Sequence, residues 1–198
     1  MKKVYIDAGH GGLTATGYYS TAPNWRPGKP ETWRKMFVHD HWPFFEGQFN
    51  RIIAEKLARK LESNFEVIKV YDAVLDTPLD DRCQATQNDG VLISIHANAA
   101  PSHLQGKVNG LETFHFKGST KGNKLARCIH DNVAYQTKAR NRGVKEGNLQ
   151  MLRETRCPAA LIECGFFDNK EEAIRLLDDD YQNRIVSGIA KGIHQYFN

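Results

Sequence analysis

Three apolar runs, far apart in the chain, each carry a side chain that can bind a metal or move a proton. His10 follows the first run, His96 follows the second, and Glu163 stands inside the third. Continuous apolar runs of this length are typical of buried strands in a parallel sheet. Because open α/β sheets build their sites at the carboxyl ends of the strands, we expect the two imidazoles and the carboxylate to lie close together. The segments that hold these runs together with their polar residues are 4–12, 91–99 and 159–166.

The composition indicates an ordinary globular domain. The chain has 198 residues, of which 40% are hydrophobic and 25% are charged, and this is enough to bury a core in one domain. A formal net charge of +4 without a dense Lys/Arg stripe does not favour nucleic-acid binding, although it is compatible with attraction to an anionic surface such as a cell wall. No run approaches the roughly 18 apolar residues that a membrane span needs.

The first residues and the cysteines narrow the class of protein further. The first apolar stretch is short and contains Asp7, so we expect no secretion signal. The four cysteines form no C-x-x-C pair, which favours reduced thiols over a disulfide scaffold or a cysteine-rich zinc site. They are Cys83, Cys128, Cys157 and Cys164.

Strand-like and helix-like segments alternate along the chain. This alternation predicts a single α/β domain with a mostly parallel twisted sheet of about six strands and helices on both faces. The predicted strands cover residues 3–7, 66–71, 90–95, 111–116, 149–152 and 159–164. The predicted helices cover residues 46–61, 80–88, 123–139, 170–177 and 181–197.

Residues 13–44 interrupt this alternation. They hold four prolines and all three tryptophans of the chain and show little periodicity. We expect an ordered loop or short-helix insertion near the site, because uncovered loops of this length are often functional. The tryptophans could stack on sugars or pack in the core. They are Trp25, Trp33 and Trp42.

A catalytic zinc ion is bound by histidine nitrogens and carboxylate oxygens and keeps one position open for water. His10 and His96 supply two candidate ligands, and Glu46, at the start of the first predicted helix, is the candidate for the third. Each residue also has a structural interpretation: a hydrogen-bonded histidine at a strand end, or an acidic residue that favours a helix N-terminus.

Glu163 requires a partner or a purpose, because an unpaired carboxylate inside an apolar run is costly. Asp7 and Asn98 could orient the ligands or could serve turns. Cys164 as a nucleophile and a phosphate-binding turn at residues 7–12 are weaker alternatives, since neither matches a known signature. His39 and His41 form a further pair that could supply an alternative ligand or lie in a solvated loop.

Taken together, these segments resemble the zinc-dependent N-acetylmuramoyl-L-alanine amidases, which cut bacterial peptidoglycan. The resemblance is colinear and covers almost the whole chain. The matching motifs are D-x-G-H-G-G at residues 7–12, a glutamate at the first helix start at Glu46, an approximate D-x-x-x-x-L-x-x-R stretch at 76–82, S-I-H-A-N-A at 94–99, R-G-V-K at 142–145 with L-x-x-L-R at 149–153, and P-A-x-L-x-E-x-G-F-x-x-N at 158–169.

The resemblance implies zinc on His10, Glu46 and His96, with Glu163 as the catalytic carboxylate, in a six-stranded α/β domain. The chain departs from the family pattern at the insertion, because the family usually has only a short polar link between the first histidine and the metal-binding glutamate. The insertion also contains Glu31, which is a second glutamate in this interval. We retain Glu46 because the apolar helical stripe begins there.

The resemblance therefore predicts that residues 1–198 form a zinc amidase catalytic domain, acting as a monomer on peptidoglycan at the cell wall. In the expected reaction, zinc lowers the pKa of water to about 7 and Glu163 moves the proton. The alternatives are a muropeptide-binding module without activity and a metallohydrolase of another amide. Without a visible signal peptide, an endolysin of phage type, an excised domain of an autolysin, or a cytoplasmic recycling enzyme would fit.

Overall fold

The apolar runs of the sequence form the centre of a six-stranded sheet. The computed structural model describes residues 1–20 and 35–198. The strands are β1 (Lys3–Ala8), β2 (Met36–His39), β3 (Trp42–Phe45), β4 (Glu66–Lys69), β5 (Gly90–Asn98), β6 (Leu111–His115), β7 (Asn141–Glu146) and β8 (Ala159–Phe166). The helices are α1 (Glu46–Leu61), α2 (Leu79–Gln84), α3 (Thr120–Thr137), α4 (Gln150–Arg153), α5 (Lys170–Leu177) and α6 (Asp179–Phe197).

The strand order in the main sheet is β4-β1-β5-β8-β6-β7, and the one antiparallel pairing is between β6 and β8. The three apolar runs, β1, β5 and β8, are adjacent at the centre. In this register His96 of β5 lies directly beside Glu163 of β8. The predicted α/β fold with a mostly parallel six-stranded sheet is therefore confirmed.

The two faces of the sheet are covered unequally. Alternate residues of the central strands, such as Ile6 and Ile93, pack into a large core with helices α1, α3, α5 and α6. The intervening residues face a smaller cluster, which includes Tyr5 and Leu92 and is covered by the short helices α2 and α4. Because strand side chains alternate in direction, His96 belongs to this thinly covered face, and so do Asp7, Ser94 and Glu163.

One local prediction is wrong, and one strand of the sheet was not predicted. Residues 149–152 were predicted to be a strand, but Met151 and Leu152 lie in helix α4 and pack into the smaller cluster. The sixth strand is instead β7, which the sequence pattern did not reveal. It is an edge strand of mostly polar residues, so no apolar run marks it, and Gly143 interrupts it with a φ of +86°.

The end of the insertion forms a β-hairpin, β2 with β3, rather than a loop or a short helix. The ring of His39 stacks on Trp42 at 4.6 Å, and its Nε2 atom hydrogen-bonds the carbonyl oxygen of Phe167 at 2.8 Å. His39 is therefore a buried structural residue and not a solvated one, and Trp42 packs against the core. Trp25, Trp33 and Glu31 lie outside the described residues.

No helix among residues 1–20 and 35–198 combines the length and the apolar character needed to cross a bilayer. The four cysteines are all free, as predicted, and all four are buried.

Helices α3 and α6 approach each other closely because two glycines of α6 face α3. A Cβ atom at Gly188 would lie 2.6 Å from the Cα of Val133, and one at Gly192 would lie 2.6 Å from the Cα of Ile129. These neighbours are backbone atoms, which cannot rotate away. The spacing of four residues places both glycines on one side of α6.

We expect Gly192→Ala to lower the free energy of unfolding by about 1 kcal/mol or more. Overpacking costs about 1–3 kcal/mol, and we expect the upper part of this range because the clashing neighbours are backbone atoms, so the cost exceeds the roughly 1 kcal/mol that alanine gains over glycine in a helix. Denaturant unfolding measures the difference, and Lys191→Ala, at an exposed position of the same helix, is the control with an effect within about 0.5 kcal/mol. An unchanged or increased stability of Gly192→Ala would show that the two helices can separate at no cost.

Candidate active site

His10, Glu46 and His96 converge at the carboxyl edge of the sheet. One potential ligand atom from each residue lies within 4.8 Å of the other two. The Oε1 atom of Glu46 is 3.3 Å from Nε2 of His10 and 3.0 Å from Nδ1 of His96. The two imidazole rings are 5.1 Å apart and nearly perpendicular, at 85°. Three side chains from distant parts of the sequence therefore point toward one small volume.

The backbone of His10 is held in an unusual conformation. Its φ is +63°, in the left-handed region that non-glycine residues rarely adopt. The His10 carbonyl oxygen accepts hydrogen bonds from Nη1 of Arg51 at 2.8 Å and from Nη2 of Arg82 at 3.2 Å. These two arginines fix the turn that follows β1 and thereby the direction of the imidazole.

Two glycines allow the chain segments around the site to approach each other. A Cβ atom at Gly9 would lie 2.0 Å from Cε1 of His96. A Cβ atom at Gly47 would lie 1.8 Å from the carbonyl oxygen of Gly11. Neither position could hold a larger residue without displacing the ring of His96 or the helix that carries Glu46.

Glu46 is the first residue of α1, as the sequence predicted. Its backbone N–H donates to the carbonyl oxygen of Lys35 at 2.9 Å, and this carbonyl also accepts the hydroxyl of Tyr19 at 2.9 Å. One turn later, Nδ2 of Asn50 donates to the carbonyl oxygen of Gly9 at 3.0 Å. The start of the helix is thus tied both to the hairpin and to the end of β1.

Asp7 acts on the site through neighbouring residues. Its carboxylate accepts hydrogen bonds from Nη1 of Arg82 at 2.7 Å and from the hydroxyl of Ser94 at 2.6 Å. Arg82, which is 1% exposed, in turn donates to the carbonyl oxygens of Ala8 and His10. Asp7 therefore positions the backbone of the turn that carries His10. Among the described residues, no hydrogen bond joins Asp7 to the imidazole of His10 or of His96.

Asn98 is oriented toward other partners. Its side-chain oxygen accepts the backbone N–H of Ala99 at 2.8 Å, and its nitrogen donates to Glu112 at 3.4 Å. It lines the cleft beside the three candidate ligands. The expectation that Asn98 orients a ligand directly has no support in these contacts.

Burial and charge act against each other on the three candidate ligands. Burial lowers the pKa of His10. The pKa of His96 is raised, because its hydrogen bond to Glu46 and the nearby carboxylates outweigh burial. Burial also opposes ionisation of Glu46, yet the charge and hydrogen bond of His10 hold its pKa well below the usual range. Glu46 is therefore a charged carboxylate shared by two imidazoles.

Glu163 differs from Glu46 in having no cationic or hydrogen-bonding partner for one of its oxygens. Its Oε2 atom is buried and has no hydrogen-bond partner among the described residues. Burial, helped by the nearby charge of Glu46 and opposed by the charge of His96, raises the pKa of Glu163 to about 7. A buried carboxyl group with an unused oxygen is expected where a ligand or a reaction requires it.

A cleft of about 460 Å³ opens above these residues. Lys35 lines it, with a φ of +58°, and its positive charge acts on both Glu46 and Glu163. Sequence reasoning missed Lys35, because it lies in the insertion and belongs to no motif. The other lining residues come from the end of β5 and the segment after it, from the residue before α4 and from β8: Ala97, Asn98, Ala99, Ala100, Pro101, Leu149 and Leu161.

The donor set fits a zinc ion. Two imidazoles and one carboxylate are ligands that Zn²⁺ prefers, and a catalytic site uses three protein ligands. All three residues line the cleft together with Glu163, which is the cross-strand neighbour of His96 and has an unpartnered oxygen among the described residues. In this arrangement one negatively charged oxygen, that of Glu46, lies between two imidazoles. A divalent cation could bind between the same three side chains.

Two further buried histidines have structural roles. His115 hydrogen-bonds the carbonyl oxygen of Phe116 and the amide of Asn123. His130 lies between Thr113 and Asn141. These contacts satisfy both nitrogens of each ring.

Cys164 is not suited to be a nucleophile. It is 2% exposed, and burial raises the pKa of its thiol far above the usual range. Its side chain belongs to the large core, on the face of the sheet opposite Glu163. A buried thiol of this kind is inert.

Comparisons with known proteins agree on one family. A family model described as N-acetylmuramoyl-L-alanine amidase matches residues 4–195. The catalytic domain of CwlV, an N-acetylmuramoyl-L-alanine amidase from Paenibacillus polymyxa, superimposes with a TM-score of 0.78 at 32% identity, covering 100% of this chain and 98% of that domain. An N-acetylmuramoyl-L-alanine amidase from Clostridium difficile 630 gives 0.79 at 31% identity, covering 99% and 96% of the two chains.

Curated relatives include longer proteins. The endolysin of Bacillus phage SPP1 is 33% identical over 157 residues, which are 74% of this chain and 56% of the endolysin. A cell wall amidase of Bacillus anthracis is 35% identical over 122 residues, which are 57% of this chain but only 22% of that protein. The chain therefore corresponds to about half or less of the length of these two relatives.

We expect Gly9→Ala to weaken zinc binding by about tenfold or more, since misplaced ligands typically cost 10–100-fold in metal affinity. The new methyl group would displace the His96 ring, whereas the backbone of Gly9, which has no positive φ, accepts alanine without strain. Calorimetric titration of the metal-free protein with zinc measures the change. Zinc affinity equal to that of the unmodified chain would show that His96 is not a ligand in its present position.

Proposed function

The chain belongs to the N-acetylmuramoyl-L-alanine amidase family, and we propose that it hydrolyses the amide bond between N-acetylmuramic acid and L-alanine in peptidoglycan with the help of a zinc ion. In this proposal His10, Glu46 and His96 hold the zinc ion, and Glu163 is the catalytic carboxylate. The observation that carries the proposal is the convergence of three zinc-type donors beside a buried carboxylate oxygen without a partner.

A zinc ion bound by these three residues would supply Lewis-acid chemistry, which would lower the pKa of a water molecule to about 7 and polarise a carbonyl group. Glu163 takes a proton from the attacking water as the water oxygen bonds to the amide carbon. It then delivers this proton to the nitrogen as the carbon–nitrogen bond breaks. The products are the lactyl carboxylate of the sugar and the free amino group of L-alanine.

The remaining residues of the site hold these groups in place. Asp7, Arg82 and Arg51 fix the turn that carries His10, and the hairpin carbonyl of Lys35 fixes the start of α1. The low exposure of Glu46 and His96 keeps competing water away from the ligands. A site built on strand ends and a helix start is more rigid than one built on loops.

The place of action follows from the same proposal. Peptidoglycan is the substrate, so the domain acts at the bacterial cell wall, as an autolysin or an endolysin does. We further propose that the chain acts as a monomer, because the cleft is formed by one chain.

The two alternatives predict different behaviour. A muropeptide-binding module without activity would have no use for the unpartnered carboxyl oxygen of Glu163. A metallohydrolase of another amide would share the zinc site but would release no peptide from peptidoglycan. The family match over residues 4–195 favours the muramoyl amide.

Glu163→Gln is expected to reduce the release of amino groups from purified peptidoglycan by at least about 10²-fold, since proton transfer by a positioned side chain contributes roughly 10²–10⁴-fold. The variant should still bind one zinc ion, because Glu163 is not a ligand. Glu146→Gln, an exposed carboxylate on β7, is the matched control and should keep full activity. Full activity of Glu163→Gln would remove this residue from the mechanism.

Chelation of divalent metal is expected to abolish hydrolysis, and stoichiometric zinc should restore it. His96→Ala should prevent the restoration, because the remaining two ligands cannot hold the ion at the same affinity. Metal analysis and the same peptidoglycan assay follow both effects. Hydrolysis that persists in the presence of chelator, with no metal in the protein, would contradict the proposal.

A further inference from the structure

A second charged cluster lies beside Glu163 on the same face of the sheet. Glu112 of β6 is directly opposite Glu163 of β8 in the antiparallel pairing. Its carboxylate is 4% exposed. Asn98, which lines the cleft, donates to Oε2 of Glu112 at 3.4 Å. The cluster therefore borders the cleft on the side of β6 and β7.

Two cations share the other oxygen of Glu112. Nε of Arg142 and Nζ of Lys145 both donate to Oε1, at 2.5 Å and 2.7 Å. Although burial alone would raise it, these bonds hold the pKa of Glu112 below its usual range. One buried negative charge is thus matched by two positive charges, which leaves a surplus positive charge next to the candidate catalytic carboxylate.

The guanidinium group of Arg142 is fixed but still has donors to offer. It lies over the ring of Phe166 at 5.2 Å, and Nε is occupied by Glu112. Within residues 1–20 and 35–198, neither Nη atom of Arg142 has a hydrogen-bond partner. The side chains of Arg142 and Lys145 are 27% and 39% exposed, so a ligand can reach both. A fixed guanidinium with free Nη atoms matches the geometry of a carboxylate.

We propose that Arg142 and Lys145 bind a free carboxylate in the peptide part of the substrate, with Glu112 as the residue that positions them. This inference rests on the proposed function. In the uncleaved substrate, the only carboxyl group of the muramic acid is consumed in the scissile amide. A carboxylate bound near Glu163 must therefore belong to the peptide, so the peptide lies over β6 and β7 and the sugar lies on the opposite side.

The general dimensions of strands and peptides favour the second residue of the peptide as the owner of this carboxylate. Opposite side chains in an antiparallel pair have Cβ atoms about 5 Å apart, and the two cations extend beyond Glu112 by a further hydrogen bond. An extended peptide advances about 3.3–3.6 Å per residue. The α-carboxylate of the second residue, when that residue is linked onward through its side chain, lies about two residue lengths from the reacting carbon and reaches these cations.

The test compares two synthetic muropeptides with the same sugar and the same L-alanine. In one the second residue carries a free α-carboxylate, and in the other a carboxamide, while its side-chain carboxyl is capped in both. We expect the zinc-loaded protein to cleave the carboxylate form with a kcat/KM about tenfold higher, because charge-assisted hydrogen bonds are stronger than neutral ones.

Arg142→Gln should remove most of this preference, with the loss appearing mainly in KM, because it should weaken cleavage of the carboxylate form much more than cleavage of the carboxamide form. Arg140→Gln is the matched control, since it removes an exposed arginine next to the same strand and should keep the preference. A parallel loss with both substrates, or no preference in the unmodified protein, would overturn the inference and leave the cluster as a structural clamp between β6 and β7.

A binding measurement separates this inference from the proposed function. Calorimetry with zinc-loaded Glu163→Gln reports the affinity for both muropeptides without turnover. Tighter binding of the carboxylate form, lost in the Glu163→Gln/Arg142→Gln double variant, supports the subsite even if the unmodified protein cleaves neither substrate, a result that would contradict the proposed function alone. Equal binding of the two forms would overturn the subsite even if cleavage is observed.

Discussion

The buried guanidinium of Arg82 is the contact on which the geometry of the site depends. It pairs with Asp7 at 2.7 Å and donates to the carbonyl oxygens of Ala8, His10 and Thr77. These partners belong to the end of β1, to the turn after it, and to the loop before α2. Because an ion pair buried this deeply is costly unless its hydrogen bonds are complete, the pair stabilises one arrangement of these segments and no other. The left-handed backbone of His10 is a consequence of that arrangement.

The site combines a rigidly held carboxylate with a second carboxyl group that lacks a partner for one of its oxygens. Glu46 is fixed between two imidazoles, while Glu163 keeps a buried oxygen without a partner. A folded protein tolerates such a group where a cation, water or substrate completes it. The unequal covering of the sheet explains how these groups are reached: the thin layer of α2 and α4 leaves the carboxyl edge of β5 and β8 open. Fold and chemistry are therefore linked through the alternation of side chains along the three central strands.

Much of this could be predicted from the sequence, because the central strands are apolar on both faces and their polar exceptions stand out. His10, His96 and Glu163 were identified in this way, and the apolar stripe of α1 indicated where Glu46 lies. The edge strand β7 gave no such signal, since one of its sides faces solvent and its residues are polar. The hairpin β2–β3 was missed because aromatic residues and prolines obscure its short alternation. The positioning roles of Arg51 and Arg82 depend on backbone carbonyls, which leave no trace in a side-chain pattern.

The most direct test of the account is anomalous diffraction at the zinc edge from crystals of the zinc-loaded protein. We expect a single strong peak within bonding distance of a nitrogen of His10, a nitrogen of His96 and an oxygen of Glu46. The carboxylate of Glu163 should lie close to this peak without being a ligand. A peak at another place, or one in which Glu163 replaces Glu46 as a ligand, would contradict it.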